Sequence, residues 1–160
     1  MVSTIVVDAS VALKWVFDEP RGERDTAAAR QLLRGVRDGQ LKMLVPIHFL
    51  AEVAGVLARE WPAGAAREVV DLMRVDMEVV DDPGVMLRAV DLAISHRQHV
   101  LDTLYHAIAL ERDDAWLVTA DERYWRAARA AGRIVRLAEF VVPVLSIHAA
   151  TGAYEHLGVG

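Results

Sequence analysis

The chain has 160 residues and no cysteine, which excludes disulfide bridges, thiolate metal sites and a cysteine nucleophile. A chain of this length is most simply one domain, and its hydrophobic fraction of 54% can fill a core without covalent staples. The net charge of −5 counts against a typical basic nucleic-acid binder, although carboxylates that hold a metal ion would contribute to the same negative charge.

The sequence also bears on location. It contains no uncharged apolar run of about 18 residues or more, so we expect no membrane span. No basic segment precedes the first apolar run, and Asp8 interrupts that run early, which argues against a signal peptide. We therefore expect a cytoplasmic protein.

The first half of the chain alternates β-branched runs with helical patterns. Ser10 is a possible N-cap for the first helix, and Pro46 fits the first turn of the third. The predicted elements are a strand over Ser3–Asp8, a helix over Ser10–Phe17, a helix over Arg21–Arg37, a strand over Lys42–Val45 and a helix from Pro46 to about Glu60.

The second half repeats this alternation, which predicts a parallel sheet covered by helices on both faces. The predicted domain spans residues 1–142, and residues 143–160 form a C-terminal tail that we expect to pack on it. The predicted elements are a helix from Pro62 to about Val75, a strand over Met77–Val80, a helix from the turn at Asp82 to about Arg97, a helix over Asp102–Arg112, a strand over Trp116–Thr119, a helix over Glu122–Ala131 and a strand over Ile134–Arg136.

Four acids stand in apolar surroundings: Asp8, Glu52, Asp102 and Asp121. Burying an unpaired carboxylate is costly, so isolated acids of this kind suggest that they meet around a cation. Each follows a strand or falls in an early helical turn, and ligands of open parallel sheets bind outside the carboxyl ends of the strands. Clustered carboxylate oxygens favour Mg²⁺ or Mn²⁺.

Structural roles for the same acids remain open. Asp8, Asp102 and Asp121 could cap the helices that follow them. Glu52 could instead form an ion pair with Arg59 or Arg97. A residue can also cap a helix and bind a metal ion at the same time.

Metal-bound carboxylates suit phosphodiester hydrolysis, because a divalent ion activates water and stabilises the leaving oxygen. Ser10 and Thr119 carry hydroxyls beside the acids and could support the site, or could be a helix cap and a strand-end hydrogen bond. His48 and His106 lie one helical turn from Glu52 and Asp102, but ordinary packing is the preferred interpretation for both. The arginines at positions 123, 126 and 129 could guide an RNA backbone or face solvent.

Two other classes compete with a nuclease. A phosphatase with an aspartyl nucleophile could use Asp8, but Ser10 occupies the position where a second aspartate is usual. A non-catalytic RNA- or protein-binding module would not need four acids. Metal-dependent cleavage of RNA would separate the nuclease from both alternatives.

The motifs resemble those of the PIN-domain ribonucleases, and most closely the small VapC-type toxins of toxin–antitoxin pairs. The segment from Val6 to Trp15 is similar to the first motif of that family, and Thr119-Ala120-Asp121 with its Ala-rich helix to the fourth. Glu52-Val53 is a weaker match to the second motif. Asp102 is similar to the aspartate of the third, although Leu101 and Thr103 replace its usual tyrosine and alanine.

The resemblance spans about Ile5 to Val135 and implies a three-layer α/β/α fold with a central, mostly parallel five-stranded sheet. It implies a Mg²⁺- or Mn²⁺-dependent endoribonuclease, a homodimer and a cognate antitoxin protein that blocks the site. The catalytic and metal-binding acids of the family would correspond to Asp8, Glu52, Asp102 and Asp121. The RNA target does not carry over, and a housekeeping nuclease without an antitoxin stays open.

Overall fold

The structure, a computed structural model, describes residues 3–17 and 24–143. Five strands form one sheet: β1 Ser3–Val7, β2 Leu41–Pro46, β3 Glu78–Val80, β4 Ala115–Thr119 and β5 Ile134–Arg136. The seven α-helices of the described residues are α1 Ala9–Val16, α2 Thr26–Arg37, α3 Phe49–Glu60, α4 Pro62–Met73, α5 Pro83–His96, α6 Val100–Glu111 and α7 Glu122–Ala128.

The sheet is entirely parallel, with the strand order β3-β2-β1-β4-β5. The strand β1 is central, with Val6 opposite Leu44 of β2 and Leu117 of β4. From β1 the chain continues outward through β2 to β3, and it then crosses back to β4 on the other side of β1. The resulting switch point between β1 and β4 is where ligands of such sheets bind.

Helices cover the sheet on both faces, which gives the three-layer α/β/α fold that the resemblance implies. The helix α1 packs against α2 and α3, and α3 packs against α4, while α5 packs against α6 and α7. The strands in the middle are mostly apolar, and Val6, Val7, Leu117 and Val118 have no solvent exposure. Strands buried on both faces explain the near-continuous apolar runs of the sequence.

Several predicted boundaries at the start of helices were wrong, for local reasons. Asp8, rather than Ser10, is the N-cap of α1, because its side chain accepts a hydrogen bond from the Val11 amide. Pro46 ends β2 opposite Val80 instead of opening a helix. A proline is tolerated there because strand ends need fewer amide donors.

Two further boundaries differ. The second helix begins at Thr26, since Arg24 and Asp25 are not helical and Asp25 has a positive φ of 57°. The predicted start of that helix at residues 21–23 lies outside the described residues. The helix α7 ends at Ala128, and a 3₁₀ turn over Arg129–Ala131 completes the predicted segment. Such tightening is common at helix ends.

The C-terminal tail predicted over residues 143–160 lies outside the described residues, apart from residue 143. Its packing and the domain boundary at residue 142 therefore stay predictions. In the part of the chain that the structure describes, no helix is long and apolar enough to cross a bilayer.

Candidate active site

The four acids predicted to converge do so. Asp8, Glu52, Asp102 and Asp121 all line one small pocket of about 60 Å³, together with Ser10 and two tyrosines. The pocket lies at the carboxyl ends of β1 and β4, where the strand order switches direction. The fold alone brings these side chains together, since no two of them are neighbours in the sequence.

Asp8 is the most constrained of the four. Both carboxylate oxygens accept hydrogen bonds, Oδ1 from the hydroxyl of Ser10 and from the Val11 amide, and Oδ2 from the hydroxyl of Thr119. Burial raises the pKa of Asp8 to about 6, and the charge of Asp121 adds to the rise. The three hydrogen bonds act in the opposite direction, because they stabilise the ionised form.

The two hydroxyls also connect Asp8 to the loop after β4. The Ser10 oxygen accepts from the Ala120 amide at 3.0 Å, and the Thr119 oxygen accepts from the Asp121 amide at 3.0 Å. Each hydroxyl thus accepts from the loop and donates to Asp8. Ser10 and Thr119 hold the carboxyl ends of the two neighbouring strands in a fixed relation.

Asp121 is solvent-exposed and caps α7, where its Oδ1 accepts from the Tyr124 amide at 2.9 Å. Capping and pocket lining coexist in this residue, because capping uses one carboxylate oxygen. Oδ2 has no hydrogen-bond partner among the described residues.

Asp102 lies in the first turn of α6, which begins at Val100 with His99 as its N-cap residue. The capping role considered for Asp102 is therefore not the one it has. Burial raises the pKa of Asp102, and so does the charge of Asp121; His99, Arg123 and His48 oppose the rise. Neither oxygen of Asp102 accepts a hydrogen bond from the described residues, which leaves this carboxylate open to the pocket.

Glu52 has a different set of neighbours from those considered. Its Oε2 accepts a hydrogen bond from the hydroxyl of Tyr105 at 2.6 Å, and Nε2 of His48 lies 3.5 Å from the same oxygen. The alternative ion pairs with Arg59 and Arg97 do not form, and Arg59 pairs with Glu60 instead. Glu52 therefore faces the pocket without a neutralising arginine.

The two histidines considered beside the acids differ in their surroundings. His106 is fully buried; its Nε2–H donates to the Gly132 carbonyl at 2.6 Å, so its Nδ1 accepts from the hydroxyl of Tyr124 at 3.1 Å. Burial lowers the pKa of His106, which favours this neutral ring. His48 has two buried ring nitrogens without a hydrogen-bond partner in the described part of the chain.

Two tyrosines line the pocket that were not predicted as site residues, although Tyr105 lies in the segment similar to the third motif. Tyr105 and Tyr124 are 2% and 4% exposed, and both line the pocket beside the acids. Burial is the largest factor that raises the pKa of each phenol, so both hydroxyls stay protonated. A polar tyrosine on an otherwise apolar helix face near an acid is the signal that could have found Tyr105.

The arginine series after the fourth motif is largely engaged with neighbours. Arg126 lies 3.5 Å from Glu122, and Arg129 stacks over the ring of Trp125 at 4.9 Å. Arg136 covers the same ring at 4.4 Å. Arg123 is exposed, and its charge acts on Asp102, so it is the member of the series whose field reaches the pocket.

Comparison with known proteins decides the family. A sequence model described as the PIN domain matches residues 5–131, about four fifths of the chain. The chain belongs to the PIN-domain family. No curated protein sequence matches it significantly.

Solved structures share this PIN-domain fold at low identity. PAE2754 from Pyrobaculum aerophilum is 19% identical with a TM-score of 0.60, over 86% of this chain and 92% of that one. VapC20 of Mycobacterium tuberculosis, described as a sarcin-ricin loop cleaving toxin, is 19% identical with a TM-score of 0.57, over 81% and 95%. VapBC2 from Rickettsia felis, bound to a DNA fragment from its promoter, is 12% identical with a TM-score of 0.56, over 83% and 96%.

The donor set of this PIN domain suits a hard divalent cation. All the ionisable donors are carboxylates, and no basic side chain forms an ion pair with Asp8, Asp102 or Asp121 among the described residues. In residues 3–17 and 24–143, no three histidine or acidic side chains are already arranged as a closed metal-binding group. Mg²⁺ needs one or two direct carboxylates and keeps several waters, so an open arrangement of oxygens fits it.

Proposed function

We propose that the chain is a Mg²⁺- or Mn²⁺-dependent endoribonuclease that hydrolyses RNA phosphodiester bonds. The observation that carries the proposal is the pocket at the β1/β4 switch point, where four carboxylates meet with no arginine or lysine of residues 3–17 and 24–143 paired to them. Burial raises the pKa of both Asp8 and Asp102, and repulsion from the charge of Asp121 adds a smaller rise. A divalent cation would relieve that repulsion.

The chain's own residues would divide the work. Asp8, Glu52, Asp102 and Asp121 would hold the cation, directly or through water, and Ser10 and Thr119 would fix the orientation of Asp8. The cation would supply an activated water and stabilisation of the leaving oxygen. The exposed Arg123 beside the pocket would contact the phosphate backbone.

RNA as the substrate and a toxin role are supported by the neighbours in structure. One of them is described as a toxin that cleaves the sarcin-ricin loop, and another is a VapBC complex. We infer by analogy that a cognate antitoxin protein inhibits this chain. Because the pocket is acidic, the antitoxin should place an arginine or lysine near the acids.

A groove among the first four helices offers a surface for an apolar helix of the antitoxin. It has a volume of about 470 Å³ and is concave, which suits an amphipathic helix. Charged residues, including Glu68 and Asp71, border it. Its apolar lining consists of Ala12, Trp15, Val16, Leu33, Val53, Leu57, Leu72 and Val75.

A second copy of the chain is the partner we propose for the outer face of α5. Met86, Leu87, Val90 and Ile94 are all exposed there, at 43%, 69%, 37% and 73%. Positions 86, 90 and 94 follow the helical repeat, so they form a convex stripe that two copies could pack against each other in antiparallel fashion. Ile94→Glu should convert the dimer to a monomer in light scattering; an unchanged mass would contradict this interface.

The test of the main function is to induce the chain in its host with and without its upstream neighbour, and to map the RNA ends produced. We expect new ends with the chain alone and none with both proteins. The purified chain should cleave the same RNA with Mn²⁺ and stop when a chelator is added. Cleavage without growth arrest would point to a housekeeping nuclease, while intact RNA in both assays would leave a non-catalytic binding module.

A further inference from the structure

Tyr105 connects two of the elements that meet at the pocket. Its ring belongs to α6, three residues after Asp102 and almost one helical turn further along. Its hydroxyl donates to Oε2 of Glu52 on α3 at 2.6 Å. Asp8 and the residue after it, Ala9, line the same pocket.

The hydrogen bond has a defined direction. A carboxylate accepts, so the Tyr105 hydroxyl donates its proton to Glu52. Burial raises the pKa of this phenol, and so does its bond to Glu52, which keeps the proton on the tyrosine. Tyr105 thus ties the carboxylate on α3 to α6, the helix that also carries Asp102.

The ring itself has little freedom. Tyr105 is 2% exposed, and the ring of His48 meets it edge-on at 5.0 Å with an interplanar angle of 67°. The Nε2 of His48 lies 3.5 Å from Oε2 of Glu52, the same oxygen that accepts the hydrogen bond from the Tyr105 hydroxyl. Oε2 is therefore directed into the protein, and Oε1 is the oxygen of Glu52 that has no partner among the described residues.

We propose that Tyr105 is a positioning residue that fixes Glu52 relative to Asp102 on its own helix, so that Glu52 offers a single oxygen, Oε1, to a divalent cation. This inference rests on the proposed metal-dependent function and adds a residue to it. Ordering a carboxylate before the ion arrives lowers the cost of binding. Partners that orient a metal ligand typically contribute 10- to 100-fold in affinity.

The test compares Mn²⁺ binding by calorimetry in the full chain and in Tyr105→Phe. We expect the dissociation constant to rise by roughly 10-fold in the variant, because the ring stays and the hydroxyl that holds Glu52 is lost. Thr103→Val is the matched control. It removes another fully buried hydroxyl of α6, which donates to the Ala89 carbonyl at 2.7 Å and touches no acid.

A double variant separates positioning from a general effect on folding. If Tyr105 acts through Glu52, its loss should change Mn²⁺ affinity less than about 2-fold in a Glu52→Gln background. A 10-fold loss that persists in that background, or equal affinities of the parent and Tyr105→Phe, would overturn the inference while leaving the nuclease proposal intact. A parent that binds no Mn²⁺ and cleaves no RNA would overturn both.

Discussion

Carboxylates at the two ends of the sheet have different surroundings, and their pKa values are shifted in opposite directions. At the amino ends of the strands, Glu78 pairs with Lys42 at 2.6 Å and with Arg112 at 3.5 Å, and Asp114 accepts from the Thr4 hydroxyl at 2.6 Å. These hydrogen bonds lower the pKa of Glu78 and Asp114. At the carboxyl ends, burial raises the pKa of Asp8 and Asp102 instead.

The difference separates acids whose charge is balanced within the protein from acids whose charge is not. Acids at the amino ends have their partners within the chain, so they stabilise the fold in their ionised form. Acids at the carboxyl ends are held in place by hydroxyls and amides but are not neutralised. An arrangement that orders charges without compensating them is typical of a site that awaits a cation.

The largest expected effect comes from exchanging one aspartate at each end for asparagine. Asp8→Asn should reduce Mn²⁺-dependent RNA cleavage by more than about 100-fold, because the amide keeps the shape and loses the charge that holds the ion. Asp114→Asn, at the other end, should cleave as fast as the parent. Initial rates on one labelled RNA give the ratio, and similar losses in both variants would contradict the assignment.

A smaller effect is expected from the threonines that hold these aspartates. Thr119→Val removes the hydroxyl that donates to Asp8 and accepts from the Asp121 amide, so cleavage should fall by roughly 10-fold. Thr4→Val removes the equivalent bond to Asp114. It should lower the free energy of unfolding by about 1 kcal/mol and leave cleavage unchanged. Unfolding in urea and the cleavage rate are the two measurements.

In a chelating buffer, the contributions of Asp8 and Asp114 to the free energy of unfolding should depend on pH in opposite directions. The pKa of Asp8 is about 6 in the folded chain, against 3.8 without the fold. Between these values the folded state keeps a proton that the unfolded chain releases. Its contribution to stability is therefore present at pH 4 and is lost as the pH rises to 6, by at most about 3 kcal/mol. Asp8→Asn should gain stability relative to the parent over that interval.

Asp114 has the opposite sign, since its pKa is lowered by its bond to Thr4. Its contribution is present above 3.8 and is lost as the pH falls through the folded value. Asp114→Asn should thus have a lower free energy of unfolding than the parent at neutral pH. The difference between the two should shrink as the pH falls. Urea unfolding at a series of pH values gives the free energy of unfolding of both variants. The same pH dependence in both would contradict the predicted opposite signs.

A modest effect is the stabilisation of the parent by metal. Mn²⁺ at ten times its dissociation constant should add about 1.4 kcal/mol to the free energy of unfolding. For a chain of this size the midpoint should rise by about 3 °C. Asp114→Asn should show the same rise and Asp8→Asn much less. If Mn²⁺ leaves the thermal unfolding midpoint of the parent unchanged, the proposed cation site would be contradicted.

The sheet and the acidic end of this contrast could be predicted from the sequence, whereas the paired acids at the other end were not. Alternating strands and helices gave the parallel sheet, and the position of Asp8 and Asp121 after strands gave the convergence at one edge. Both follow from local periodicity and from a general rule of parallel sheets. The convergence was confirmed by the shared pocket, whereas the catalytic and metal-binding roles of the four acids stay predictions.

The hydrogen bonds of the acids were predicted only in part. Ser10 and Thr119 were considered as supports of the site, and both hydroxyls bind Asp8. The bond from Tyr105 to Glu52, 53 residues apart, and the bond from the Ala120 amide to Ser10 were not predicted. A local pattern carries no information on such pairs, because side-chain partners depend on how distant segments pack against one another.

The central position of β1 has a consequence for the birth of the protein on the ribosome. The strand β1 is made before one of its two neighbours, β4, and the Thr119 hydroxyl that binds Asp8 comes 111 residues after Asp8. At 5 to 20 residues per second that delay is roughly 6 to 20 seconds. Throughout it Asp8 lacks Thr119 and Asp121, so the pocket cannot assemble until the end of β4 has been made.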